Sequence, residues 1–376
     1  MKILLTGGGT GGHFYPLMAV ADALNDVATQ EKIVKLDLVF ASDSPYDPNL
    51  LLQKGIRFKK IPAGKIRRYF SLLNITDIFK TAAGLLKALW QIYLDFPDVV
   101  FSKGGYGSFP VVFASRILGI PLIIHESDTV PGKVNKWSAK FAKRIAISFP
   151  QTIKYFSKQK DKVALTGNPI RKEFLVPAKK GSREFLGLEE NTPVIFIMGG
   201  SQGSQKINDN FLDTLSELVK KYQIIHQTGK NNFDYVKGRA EVILEGSEFK
   251  SRYHPFGFMD LSTMRMAYGA ADLIVSRAGA ASIFEIAASE VPSILIPLAN
   301  SAQDHQKENA FAYASFGAAD VIEEANLSPS VLKTEIGRIL EDKEKMKKMA
   351  EAAKGFVKKD AAEKIAREII NLGITH

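Results

Sequence analysis

The sequence contains no cysteine. That excludes disulfides, thiolate nucleophiles and cysteine-ligated zinc or iron–sulfur centres, and it suits a reducing compartment. Long apolar runs are also missing. Met1-Lys2 is followed only by Ile3–Leu5 before glycines begin, short of the roughly 7–15 apolar residues of a signal-peptide core. No stretch reaches the roughly 18–20 apolar residues of a membrane span, so a protein of the cytoplasm or of a membrane surface is expected. None of the glycine loops ends in the Gly-Lys-[Ser/Thr] of a P-loop, which argues against nucleotide hydrolysis by that route. An Asp-x-Asp pair for a divalent cation is absent, and Glu126-x-Asp128 is its only near relative.

With 376 residues the chain exceeds one ordinary hydrophobic core, and two domains of about 150–200 residues are expected. Apolar content of 45% with 24% charged residues is that of a folded protein. The net charge of +10 favours an anionic partner, whether a nucleotide phosphate, a nucleic acid or an acidic lipid surface, or else serves solubility. Arg57, Lys59, Lys60, Lys65, Arg67 and Arg68 crowd one stretch, and Lys133, Lys136, Lys140, Lys143 and Arg144 another. Neither is interleaved with aromatics as a nucleic-acid platform would be, and no nucleic-acid partner is expected.

Short β-branched runs alternate with helical patterns. Ile3–Leu5, Leu36–Phe40, Val99–Phe101, Leu122–Ile124 and Ile145–Ile147 read as buried parallel strands. Helices are expected after His13, Ser108 and Pro131. The segment Leu165–Ile170 reads as a crossover, a short strand followed by a Gly-Asn-Pro breaker. The rhythm then restarts at Val194–Met198, with further strands at Gln223–Gln227, Leu273–Val275 and Ser293–Ile296. This approximate duplication predicts an α/β fold of two Rossmann-like domains.

Glycine loops follow the strands at Gly7–Gly12, Lys103–Ser108 and Gly199–Gly203. Glycines let the backbone approach a ligand, and the next helix offers N–H groups and a positive dipole end to an anion. Any one loop reads equally as a tight turn; three together favour phosphate binding. Gly7, Gly9 and Gly12 satisfy the dinucleotide pattern literally. The acid that pattern expects about 20 residues on is missing, and Asp43 is the nearest candidate at the end of the second strand.

In order along the chain stand Gly8-Gly-Thr-Gly-Gly-His13, Gly104-Gly-Tyr-Gly-Ser108, His125-Glu-Ser-Asp128 with Pro131-Gly132, Gly167-Asn-Pro-Ile-Arg171, Gly199-Gly-Ser-Gln-Gly203, Arg277-Ala-Gly279 through Glu285, and Asp304-His-Gln306. This ordered set resembles the MurG-type N-acetylglucosaminyltransferases of bacterial cell-wall synthesis. The resemblance implies a GT-B fold, two domains facing across a cleft. Residues 1–164 would form an acceptor- and membrane-facing domain, with a C-terminal helix at about 357–376 packing back on it. Residues 165–356 would form a UDP-sugar-binding domain. The implied reaction is inverting transfer of GlcNAc from UDP-GlcNAc to the C4 hydroxyl of MurNAc in undecaprenyl-pyrophosphoryl-MurNAc-pentapeptide (lipid I), giving lipid II for peptidoglycan. It implies neither cofactor nor metal, and a peripheral place on the cytoplasmic face of an anionic membrane. A related UDP-sugar transferase with another lipid acceptor, a UDP-GlcNAc 2-epimerase and a nucleotide-sensing module are the rival readings.

A single displacement needs a base, support for the leaving diphosphate, and groups that hold the sugar in line. His13, at a helix start whose dipole keeps imidazole neutral, is the first candidate base; His125 and Glu126 compete as base or base-orienter. Against this stands the reading that His13 only caps its helix or orients phosphate or acceptor. Ser201, with adjacent loop amides, and Arg171 are candidates for the diphosphate. The resemblance adds Ser282 there, Glu285 at the ribose hydroxyls, the Met259 backbone at uracil and Gln306 at the GlcNAc hydroxyls. It also places Thr10, Gly11, Gly12, Tyr106, Asp128, Asn135, Gln202, Gly203 and Ala280 among the substrate-binding positions. Ser127 and Asp128 depart from the Gln and Asn of many relatives; Asp128 can accept a hydroxyl proton but has no amide to donate. Finally, Leu72, Ile75, Ile78, Phe79, Ala82, Leu86, Leu89, Trp90 and Tyr93 recur at helical spacing, either as core or as an interfacial face beside basic residues.

Overall fold

The computed structural model describes residues 1–64, 73–200, 202–299 and 301–375. The chain divides into two compact units, Met1–Arg171 with Lys358–His376, and Lys172–Val357.

The first unit is built on a seven-stranded sheet of β1 (Lys2–Thr6), β2 (Asp37–Ser42), β3 (Arg57–Lys60), β4 (Val99–Ser102), β5 (Leu122–Glu126), β6 (Arg144–Ile147) and β7 (Val163–Leu165), in the order β3-β2-β1-β4-β5-β6-β7. Every pairing is parallel. The second holds a six-stranded sheet of β8 (Val194–Met198), β9 (Gln223–Gln227), β10 (Tyr253–Phe256), β11 (Leu273–Ser276), β12 (Ser293–Leu295) and β13 (Ala319–Val321), ordered β10-β9-β8-β11-β12-β13. It too is wholly parallel. Parallel strands need crossovers, so helices cover both faces and the central strands become continuous apolar runs. Ile3, Leu5, Val99, Val100, Phe101 and the whole of Val194–Met198 are buried accordingly.

Chain order reverses between β1 and β4 in one sheet and between β8 and β11 in the other. Open α/β sheets bind ligands at that crevice, beyond the carboxyl ends of the strands. The expected strands are all present. The unanticipated ones, β3, β10 and β13, lie at sheet edges, where burial on one side weakens the apolar signal. The charged run at Arg57–Lys60 is β3 itself: Arg57 pairs with Asp37 and Lys59 with Asp95. That part of the basic stretch is neutralised, and such charges suit an edge strand. Lys65, Arg67 and Arg68 lie outside the described residues.

The seventh strand, β7, carries the first unit past residue 164 to Arg171. The C-terminal helix Ala361–Ile374 belongs to this unit because Ile365, Ala366, Ile369 and Ile370 are buried in one cluster with Leu17, Val20 and Leu24 of helix Gly11–Gln30. That first helix starts two residues before His13 rather than after it.

Candidate functional site

Two glycine loops leave β1 and β4, neighbours at the reversal point, so they are forced together. The Gly8 N–H donates to the Gly104 carbonyl at 2.9 Å. A Cβ on Gly105 would lie 2.8 Å from the Gly8 Cα, and Gly104 and Gly105 take φ of +79° and +83°. Only glycine meets both demands. Thr10 precedes helix Gly11–Gln30, and its Oγ1 lies 3.0 Å from Nδ1 of His13 in the first turn. His13 is half-buried, with Nε2 3.5 Å from the Cβ position of Gly105. Gly11 is buried and Gly12 exposed. Tyr106 opens the short turn after Gly105, and its Oη donates to Asp43 Oδ2 at 3.1 Å. Burial first, and then the Asp43 carboxylate, raises the phenol above its usual pKa of 10.0. Thr10, His13 and Tyr106 thus share one loop cluster.

Behind the loops is a closed polar cluster. Lys103 directly follows β4, with 1% of its surface exposed. Its Nζ is 2.6 Å from His125 Nδ1 and 2.9 Å from Asn168 Oδ1, and it also donates to Ser127 Oγ. Burial lowers this ammonium from 10.5 to about 7, against the pull of the Glu126 and Asp128 carboxylates. His125 is fully buried. With Nδ1 facing a lysine donor, its proton sits on Nε2 and is donated to the Gly167 carbonyl at 3.0 Å. Burial and then the Lys103 charge hold its pKa well below 6.5. A ring with both nitrogens occupied and no exposure orients other groups; it does not take a substrate proton.

Glu126 is equally committed. Its Oε1 accepts the Asp128 N–H at 3.0 Å, while Oε2 accepts the Gly132 N–H at 3.0 Å and Asn135 Nδ2 at 2.8 Å. Burial, then Asp128, raises it from 4.5 to about 7, and these hydrogen bonds oppose the shift. The carboxylate therefore shapes the 128–132 loop, and as half of a Glu126-x-Asp128 metal pair its oxygens are already spent. Among the described residues no group of three or more His, Asp or Glu is arranged to hold a metal. Asn135 is buried, its amide also reaching the His125 carbonyl. Arg171 holds its guanidinium 4.3 Å from the centre of the Tyr15 ring, a cation–π contact with the first helix.

In the second unit the loop after β8 is equally constrained. A Cβ on Gly203, which takes φ +77°, would fall 2.1 Å from the Thr228 carbonyl. Gln202 is exposed beside it; Ser201 lies outside the described residues. Ser204 caps helix Gln205–Leu212 and accepts from Arg277 Nη2 at 2.7 Å. Arg277 also pairs with Glu324 and donates to the Ile296 carbonyl at 3.2 Å, tying the glycine loop to the ends of β11 and β12. Helix Ala280–Ser289 follows β11 and carries Ala280, Ser282 and Glu285. Tyr268 Oη donates to Glu285 Oε2 at 3.4 Å. Gln306 accepts the Leu298 N–H on its carbonyl at 3.0 Å, which orients the amide and presents its NH2 group as a donor. Met259, three residues beyond β10, is buried.

Models of the glycosyltransferase family 28 N-terminal and C-terminal domains match residues 3–147 and 194–365. A UDP-N-acetylglucosamine--N-acetylmuramyl-(pentapeptide) pyrophosphoryl-undecaprenol N-acetylglucosamine transferase of Clostridium kluyveri is 35% identical over 375 residues, 99% of this chain and 98% of that protein. The chain belongs to this transferase family. A transferase of the same name from Treponema denticola is 36% identical over 363 residues, 93% of this chain and 92% of its own. Among solved structures, Acinetobacter baumannii MurG superposes with a TM-score of 0.73 at 24% identity, covering 98% of this chain and 99% of that one. A putative UDP-N-acetylglucosamine 2-epimerase from Listeria monocytogenes reaches 0.69 at 17% identity, covering 98% and 95%. At such identities these likenesses speak for the fold alone.

Lys103, Asn168 and Arg277 stand inside motifs the sequence displays, and Asp43 is its nearest candidate for the acid of a dinucleotide pattern. The contacts of these residues and of Glu324 are not legible there, since their partners arrive from distant segments.

Proposed function

We infer that this glycosyltransferase moves GlcNAc from UDP-GlcNAc to the C4 hydroxyl of MurNAc in undecaprenyl-pyrophosphoryl-MurNAc-pentapeptide, inverting the anomeric centre. The observation that carries the reading is the match along nearly the whole chain to transferases named for these substrates. In the reaction the bond from O4 of the acceptor to C1 of the donor forms as the bond from C1 to the UDP oxygen breaks. The hydroxyl proton goes to His13 Nε2. That role requires the Nδ1–H tautomer, and the Thr10 oxygen 3.0 Å away accepts that proton. Backbone N–H groups of the paired loops and of the first helix suit the acceptor's pyrophosphate. His125, Glu126 and Asn135 fix these loops from behind, with Asp128 beside the acceptor.

On the donor side, Glu285 takes the ribose hydroxyls and Gln306 donates to a GlcNAc oxygen. Uracil lies along the Met259 backbone. Ser201, Gln202, Gly203, Ala280 and Ser282 receive the diphosphate. Helix dipoles, backbone amides and hydroxyls are sufficient for that leaving group without a metal.

No helix among the described residues is long and apolar enough to cross a membrane. Helix Leu73–Asp95 instead buries Ala88 and Ile92 and exposes Ile78, Phe79, Leu86, Trp90 and Tyr93, with Phe79 and Leu86 each 71% exposed. That supports an interfacial face for a lipid-linked acceptor rather than core; Leu72 and the Ile75 side chain lie outside the described residues. The test is UDP release with and without a lipid I analogue, using UDP-GalNAc as the control. Release that needs the acceptor, prefers GlcNAc and persists in excess chelator is expected. Conversion of UDP-GlcNAc without acceptor would instead make the chain an epimerase.

A further inference from the structure

Asp43 stands where the doubly wound fold places a sugar-reading carboxylate, just past the second strand and beside the first glycine loop. Register puts Ala41 of β2 opposite Thr6 of β1, and the next residue, Ser42, donates its hydroxyl to the Gly7 carbonyl at 2.9 Å. Asp43 follows, half-buried. Its two oxygens differ. Oδ2 accepts the Tyr106 phenol at 3.1 Å. Oδ1 has Ser42 Oγ at 3.3 Å, but that hydroxyl carries one proton and the shorter bond to Gly7 uses it. Oδ1 borders the loops themselves: Cβ atoms on Gly107 and Gly9 would lie 3.0 and 3.7 Å from it. Asp43 forms no ion pair among the described residues. It is a carboxylate with one oxygen anchored and the other in want of a donor, in the same loop cluster as His13.

The acceptor named above limits what such an oxygen can read. In a muramyl residue C1 carries the pyrophosphate, C2 the acetamido group and C3 the lactyl ether. Only the C4 and C6 hydroxyls remain, and C4 is the nucleophile. We propose that Asp43 is a specificity-determining residue that accepts a hydrogen bond from the C6 hydroxyl of the acceptor sugar, held in aim by Tyr106. The proposal rests on the transferase reading.

A cycle between protein and substrate tests it: acceptor kcat/KM for the wild type, Asp43→Ala and Asp43→Glu on a soluble lipid I analogue and on its 6-deoxy counterpart. A hydrogen bond to a charged group corresponds to roughly ten- to hundredfold. The wild type should lose that factor on the 6-deoxy acceptor, and Asp43→Ala should lose it on the full acceptor with little further loss on the 6-deoxy one. Asp43→Glu should recover part of the loss, and UDP-GlcNAc affinity should stay unchanged throughout. If Asp43→Ala fails to fold, the isosteric Asp43→Asn takes its place in the cycle. Losses that multiply independently, or an undiminished variant, overturn the proposal while leaving the transferase reading standing. A wild type that is inert on the full acceptor removes both.

Discussion

Just past β4 a lysine shut off from water fixes the tautomer of a histidine and with it the roles open to the 125–128 motif. Lys103 gives up its proton near pH 7 in the folded chain and near 10.5 when unfolded. Between these values the unfolded state binds more protons, so this group's contribution to stability rises with pH, and its deficit is complete below about 7. Glu126, raised from 4.5 to about 7, acts with the opposite sign and at lower pH. The melting temperature of the wild type should therefore climb relative to Lys103→Met as pH rises from about 7 toward 10.5. A difference that stays flat across that window would show that the ammonium is not buried as described. None of this was legible in sequence. The motif His125-Glu-Ser-Asp128 was visible, but the partners of Lys103 lie 22, 24 and 65 residues away, and only the folded sheet assembles them. Gln306 shows the same limit: its place was visible, whereas the bond that orients its amide, from the Leu298 N–H, forms only in the folded chain.

At the scale of elements, periodicity told the truth about helix Leu73–Asp95 and left its environment open. The same spacing fits a core stripe or a surface face, because a helix's period does not say what covers it. The structure resolves this through Ala88 and Ile92, buried on one side, and the bulky exposed Phe79 and Trp90 on the other. Phe79→Asp with Trp90→Asp should lower co-sedimentation with anionic liposomes by an order of magnitude or more, since each buried aromatic contributes about 1.5–3 kcal/mol. Turnover of a water-soluble acceptor should stay within about twofold. Unchanged sedimentation would remove the docking role from this face. Edge strands were the elements missed, for a related reason. β10 carries Pro255 and is half-exposed along its length, as an edge allows, and β3 reads as a charge run.

Across the whole molecule, the duplication is what the sequence displayed most clearly. Central parallel strands buried on both faces leave continuous apolar runs, and the glycine loops after them mark the reversal points of both sheets. What periodicity could not supply was the unequal equipment of the two halves. The first unit brings His13, Thr10, Tyr106 and Asp43 to paired loops. The second ties one glycine loop through Arg277 to the ends of β11 and β12, with Glu285 and Gln306 nearby. The central claim is that acceptor chemistry belongs to the first unit and donor binding to the second. Turnover and UDP-GlcNAc affinity measured side by side on His13→Ala test it most directly. Loss of the base should cost about 10²–10⁴-fold in kcat while the Kd for UDP-GlcNAc stays within about threefold. Near-normal turnover, or a donor affinity that falls in step with it, would contradict that division.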